Sequence, residues 1–326
     1  MSRRRARHLT LAASVALLIA VTMSVGQSFG SFTATAANGG NTFATASDYR
    51  APTINRSVIA KSAGGTPGFI KQGGAYFVYA DITDTGNPAS GISTATSSTS
   101  TVTTGATATA LSSGSFSIGG LSYGRRSASL TANATLAAGT YTYSVTSADV
   151  AGNSGSQSYT VTVDNTVPTG TDIQTANGGS IAGRPELNDT ITYTFSEPID
   201  PNSILAGWAG TATNVVARVN DGGASNDQVQ IFNSTNLSQL PLGSVNLGRT
   251  DYVTSSITFG ASGTASNMTM SGNAITVKLG TQSAAGTTAA STGTMVWTPS
   301  ATATDRAGNA ASTTNATETG TVDREF

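Results

Sequence analysis

Tyr141-Thr142-Tyr143-Ser144-Val145-Thr146 leads into Asp149-Val150-Ala151-Gly152-Asn153, and a second run then closes on Val163-Asp164. Tyr141, Tyr143 and Val145 alternate with Thr and Ser, so they share one face of a strand. A Gly-Asn pair takes positive φ cheaply and suits a tight hairpin turn. The Asp149 side chain is placed to accept from turn amides two or three residues on. The same pattern returns later. Thr294-Met295-Val296-Trp297 leads through Ala301–Thr304 to Asp305-Arg306-Ala307-Gly308-Asn309, and the following run closes on Val322-Asp323. One closing hairpin used twice predicts two all-β domains.

Outward from the first hairpin, domain one covers 51–165. Strands are expected at 57–61, 75–83, 115–118, 127–131, 141–148 and 157–163. Tyr76–Ile82 is almost continuously apolar, which suits a strand in the middle of a sandwich. The Ser/Thr-rich run 93–104 alternates weakly and reads either as a polar edge strand or as a loop. Leu136–Tyr141 resembles a tyrosine-corner entry, in which the phenol bonds back to nearby backbone. The plainer alternative is that Tyr141 and Tyr143 simply share a face. Pro168, in Asp164-Asn165-Thr166-Val167-Pro168, stops strand pairing and marks the boundary. The linker is short, so the two domains are expected end to end.

Domain two covers 166–326. Asp189–Glu197 alternates with Ile191, Tyr193 and Phe195 on its core face, and Pro198 and Pro201 end it. Asn202–Trp208 reads as one helical turn. Further strands are expected at 214–219, 228–232, 253–259, 274–279, 295–298 and 317–322.

At the N-terminus, Arg3-Arg4-Arg5-Ala6-Arg7 precedes an apolar stretch from Leu9 to Val25, with small residues at Ser28 and Gly30. This reads as a signal helix over 1–30, followed by a flexible spacer over 31–50. The alternative is a retained membrane anchor, for which the apolar stretch is near the lower length limit. On the signal reading the mature form has no membrane segment. Phe32-Thr33 and Asn41-Thr42-Phe43-Ala44-Thr45 resemble the segment after cleavage in proteins of the biofilm-fibre and camelysin signal-peptidase group, although the following Gly-x-Leu strand is missing.

Gly139-Thr140-Tyr141-Thr142-Tyr143, the Asp149–Asn153 hairpin and Val161–Pro168 together resemble the end of a bacterial Ig-like domain. Asp189–Asp200, with its Phe-Ser-Glu-Pro-Ile-Asp phrase, resembles the opening of a similar surface-protein domain. The resemblance covers both halves. It implies two tandem Ig-like β-sandwiches on a secreted or surface protein, and it implies no activity.

Composition narrows the chemistry. Charged residues make up 10%, the formal net charge is -1, and there is no cysteine. No basic field is available to hold nucleic acid. The only histidine, His8, falls in the expected signal, so the mature chain has no Ser-His-Asp, Cys-His or imidazole zinc centre. Glu197 and Asp200 could serve glycoside hydrolysis only across a shaped cleft, and a strand end with two prolines explains them better. Oxygen-ligand metals remain open: Asp149, Asn153, Asp164 and Asn165 suit Ca²⁺ by donor type. The competing reading has Asp149 and Asn153 capping their own hairpin. Asp221-Gly222-Gly223 with Asp227 is a looser acidic loop with the same ambiguity. Trp208 and Trp297 would stack on sugar if exposed, although Trp297 lies in an alternating strand and belongs in a core. The function expected is non-enzymatic, structural or adhesive, toward a surface protein or a polysaccharide. The alternative is a carbohydrate-binding module of the extracellular matrix or cell wall.

Overall fold

The computed structural model describes residues 48–86 and 88–326, so the signal helix and nearly all of the spacer lie outside the described residues. Strands form where β-branched and aromatic residues alternate with Ser and Thr, a pattern that fits a half-buried pleated surface. The first sheet contains β1 (Thr53–Lys61), β2 (Phe69–Ile70), β3 (Ala75–Thr83), β4 (Ile92–Ser98), β5 (Thr109–Ile118), β6 (Leu121–Ser127), β7 (Leu130–Thr131), β8 (Gly139–Asp149) and β9 (Ser154–Val163). Its order is β1-β3-β6-β5-β4-β8-β9-β2, with β7 beside β3. The second contains β10 (Gly170–Ala176), β11 (Thr190–Phe195), a helical turn α1 (Pro201–Ile204), β12 (Thr213–Asn220), β13 (Gln228–Asn233), β14 (Gln239–Asn246), β15 (Ile257–Phe259), β16 (Ser266–Ser271), β17 (Ala274–Lys278), β18 (Val296–Thr298) and β19 (Ala316–Thr317). Its order is β10-β11-β17-β16-β12-β13-β14-β18-β19, with β15 beside β12. The fold is thus all-β, in two barrel-like sandwiches that divide between Val163 and Gly170.

Each sandwich has its own core. Ile59, Tyr76, Val78, Tyr143, Val145 and Val161 fill the first. Ile191, Tyr193, Phe195, Val229, Phe259 and Trp297 are among those filling the second. In β3 both faces are covered. Tyr76, Val78 and Ala80 point into the main core, while Tyr79 packs with Tyr123, Phe77 and Phe116 in a smaller outer cluster. Tyr141 Oη donates to Ala137 O at 3.0 Å, the bond expected of a tyrosine corner.

Departures from the sequence pattern have identifiable causes. The polar run 93–104 is neither an edge strand nor wholly a loop: β4 lies between β5 and β8, with ladder bonds on both sides. Pairing satisfies its backbone, so it need not carry large apolar residues. The strand expected at 253–259 shrinks to β15, because Asp227 Oδ2 takes the amides of Tyr252 and Val253 at 2.9 and 3.1 Å. The strand expected at 317–322 shrinks to β19, because Asp172 Oδ1 takes the Thr319 amide at 2.9 Å and Gln174 Nε2 takes its carbonyl at 2.8 Å. Ser127–Thr131 splits between β6 and β7. β14 escapes sequence reading because it contains Pro241 and Gly243, which fall where its pairing with β13 shifts register. β10 escapes it because Ile173 is the only large apolar residue there.

Candidate functional site at the junction of the sandwiches

The two Asp-x-Ala-Gly-Asn turns share the Asp–Asn bonds of their caps, and the second adds a glycine amide. In the first, Asp149 Oδ1 accepts Asn153 N and Oδ2 accepts Asn153 Nδ2, both at 2.7 Å. In the second, Asp305 Oδ1 accepts Gly308 N at 2.6 Å and Asn309 N at 2.7 Å, and Oδ2 accepts Asn309 Nδ2 at 2.7 Å. Positive φ falls on the glycine alone, +95° at Gly152 and +94° at Gly308. The asparagine serves as a side-chain donor, a role the sequence reading gave to backbone flexibility.

The second hairpin faces the first sandwich. Lys61, at the end of β1, donates to Arg306 O at 2.8 Å and to Asp305 O at 3.3 Å. Lys71, just after β2, donates to Gly308 O at 2.7 Å. Asn309 Nδ2 donates to Asp164 O at 2.9 Å, and the Arg306 guanidinium lies 5.7 Å from the centre of the Phe69 ring. Lys61 also pairs with Asp200, the N-cap of α1, whose Oδ1 accepts Asn202 N at 3.1 Å. Asp200 Oδ2 accepts Thr66 N at 3.3 Å as well. Gly65 makes this approach feasible: its φ is +93°, and a Cβ there would lie 1.9 Å from Asp200 Oδ2.

Three carboxylates meet behind these bonds. Asp164, Glu197 and Asp305 each offer an oxygen within 4.8 Å of the others. Asp164 Oδ1 already accepts Thr166 N at 3.0 Å. Glu197 Oε1 is buried without a hydrogen-bond partner. Burial, then the Asp164 and Asp305 charges, push the Glu197 carboxyl up to about 7.

The expected calcium donors are not brought together. Asp149 and Asn153 lie at the turn end of the β8–β9 hairpin, and Asp164 and Asn165 follow its other end. Asn165 clamps a loop, accepting Gln72 N and donating to Leu136 O, both at 2.8 Å. Asp164 instead meets Glu197 and Asp305, a grouping between domains that sequence spacing could not reveal. In the acidic loop, Asp221 Oδ1 accepts Gly223 N at 2.7 Å, while Asp227 is fully buried and saturated by the Gly222, Tyr252 and Val253 amides. Glu197 and Asp200 do not form a facing pair: one joins the acidic group and the other pairs with Lys61.

Both tryptophans are buried, Trp297 at 0% exposure and Trp208 at 7%. Trp297 Nε1 donates to Leu242 O at 2.6 Å, and its ring meets Tyr193 and Phe195 edge-on. Neither forms a sugar platform. Beside the junction, Thr66, Pro201, Gly210, Met270 and Arg306 line a depression of about 220 Å³, smaller than the ~300–1,000 Å³ usual for small-molecule sites.

No protein-family model matches the chain, and no curated protein matches it significantly.

Proposed function

We propose that this chain is a non-enzymatic structural or adhesive segment of a secreted or cell-surface protein, built from two tandem Ig-like sandwiches held in fixed mutual orientation. The observation that carries this reading is the bonding of Lys61 and Lys71. Two ammonium groups of one sandwich are spent on a carboxylate and on hairpin carbonyls of the other. Inter-domain contacts in most chains are loose enough to permit relative motion. A buried ion pair with direct main-chain bonds instead favours a rigid spacer that presents its loops at a set distance and angle. The partner is a surface protein or polysaccharide. The carbohydrate-binding alternative loses its main support with both tryptophans in the core.

The test compares the wild-type chain with a Lys61→Met/Lys71→Met variant. Small-angle scattering is expected to give one defined particle for the wild type and a broadened distance distribution for the variant, with circular dichroism unchanged. Cell fractionation is expected to place the chain in the medium or on the surface. Cytoplasmic retention, or identical scattering from the two proteins, would overturn the reading.

A further inference from the structure

Away from the junction, we infer that Glu318, Asp323 and Glu325 form a site for a hard divalent cation of the Ca²⁺ class, which fastens the 323–326 segment to the second sandwich. Each residue offers a carboxylate oxygen, and these oxygens lie within 4.8 Å of one another. The second observation is independent of that clustering. Glu325 is only 1% exposed, and its Oε1 is buried with no hydrogen-bond partner. A buried carboxylate oxygen left without a donor is costly, and natural structures rarely leave one unexplained.

The surroundings orient the group without neutralising it. Thr175 Oγ1 donates to Glu325 Oε2 at 2.7 Å, and the Met295 amide donates to Glu318 Oε2 at 2.9 Å. The Glu325 amide donates to Tyr252 Oη at 2.7 Å, and the Asp323 carbonyl accepts Gly293 N at 3.0 Å. These bonds fix both ends of the segment and aim its acids at Glu318. Arg324 lies between two of the acids in sequence but donates to Ala289 O at 3.4 Å. Among the described residues, the ion pairs are Arg56–Asp81, Lys61–Asp200, Arg184–Glu186 and Arg249–Asp251, none of which touches this group. With no protein cation paired to them among the described residues, the three acids suit an external one. The donor set is oxygen only, which favours Ca²⁺ over zinc, whose sites draw on nitrogen and sulfur. The junction acids differ, because Asp305 there is supplied with two amide donors and an asparagine donor.

The experiment uses the full chain with CaCl₂ or with EGTA. Both tryptophans lie in the second sandwich, so their fluorescence reports its melting alone. Calcium at several millimolar is expected to raise that transition by about 5 °C over EGTA. Tb³⁺ is expected to show luminescence sensitised by Tyr252 and displaced by Ca²⁺. Glu325→Gln and Asp323→Asn should each abolish the calcium increment. Asp323 is exposed, so its variant keeps the test valid if Glu325→Gln folds poorly. Glu197→Gln should retain the increment. A wild-type transition unmoved by CaCl₂ would overturn the assignment. So would an increment that survives both Glu325→Gln and Asp323→Asn, or one lost only in Glu197→Gln, which would place the ion at the junction.

Discussion

Lys61 and Asp200, 139 residues apart in sequence, form an ion pair between the two sandwiches with side chains 10% and 2% exposed. Removing one partner of a buried pair leaves the other charge unpaired, at a typical cost of about 3–5 kcal/mol. Lys61→Met is therefore expected to destabilise by about 3 kcal/mol in urea unfolding. Lys61→Met/Asp200→Asn should cost clearly less than the sum of the single changes. A double-mutant cycle with no coupling would show that the pair is solvated.

Gly65 and Gly152 separate two demands on glycine. Both have positive φ, but nothing lies within 4 Å of a Cβ at Gly152, whereas one at Gly65 strikes Asp200. Gly152→Ala should then cost the conformational penalty alone, about 1–2 kcal/mol. Gly65→Ala should cost more and should also loosen the junction. Urea midpoints with scattering on both variants would check this, and equal effects would remove the close-approach argument.

The two hairpin aspartates should differ in reach although their caps are alike. Asp149→Ala is expected to lower the stability of the first sandwich by at least 1 kcal/mol, leaving the tryptophan-reported transition nearly unchanged. Asp305→Ala should lower the tryptophan-reported transition directly. It should also weaken the first sandwich, because Lys61, Lys71 and Asp164 all bond to that turn. Tryptophan fluorescence and circular dichroism, followed together, distinguish the outcomes.

Glu197 sets a pH dependence. Its folded value of about 7 stands above the ordinary 4.5, so the folded chain holds the proton more tightly than the unfolded one. Its favourable contribution is complete below about pH 4.5, declines as pH rises to about 7, and is absent above that. In EGTA, the melting temperature of Glu197→Gln should gain on the wild type between pH 5 and pH 8. A difference between the two that stays constant across this range would contradict the assignment.

Alternation made β8, β9 and β11 legible, because period-two placement of Tyr, Val, Ile and Phe dictates which face is buried, and β3 was legible from its nearly continuous apolar run, which suits a strand covered on both faces. The Asp-x-Ala-Gly-Asn turns were equally legible: their bonds run over four residues or fewer, and local chemistry suffices. What local pattern could not supply was the use of side chains in place of ladders. Asp227 takes the amides of Tyr252 and Val253, and Asp172 and Gln174 take the backbone of Thr319, so the expected strands there are cut short. Nor could spacing reveal which acids meet. Asp149 and Asp164 belong to one hairpin motif, yet β9 separates them and sends the two to opposite ends of the hairpin, and packing of the sandwiches brings Asp164 to Glu197 and Asp305. The all-β class and the two capped hairpins were readable from the residues alone, since these rest on short-range periodicity and turn geometry. Tertiary structure decided the Lys61–Asp200 junction and the Glu318–Asp323–Glu325 grouping, because burial and electrostatic partnership depend on which chain segments fold against each other.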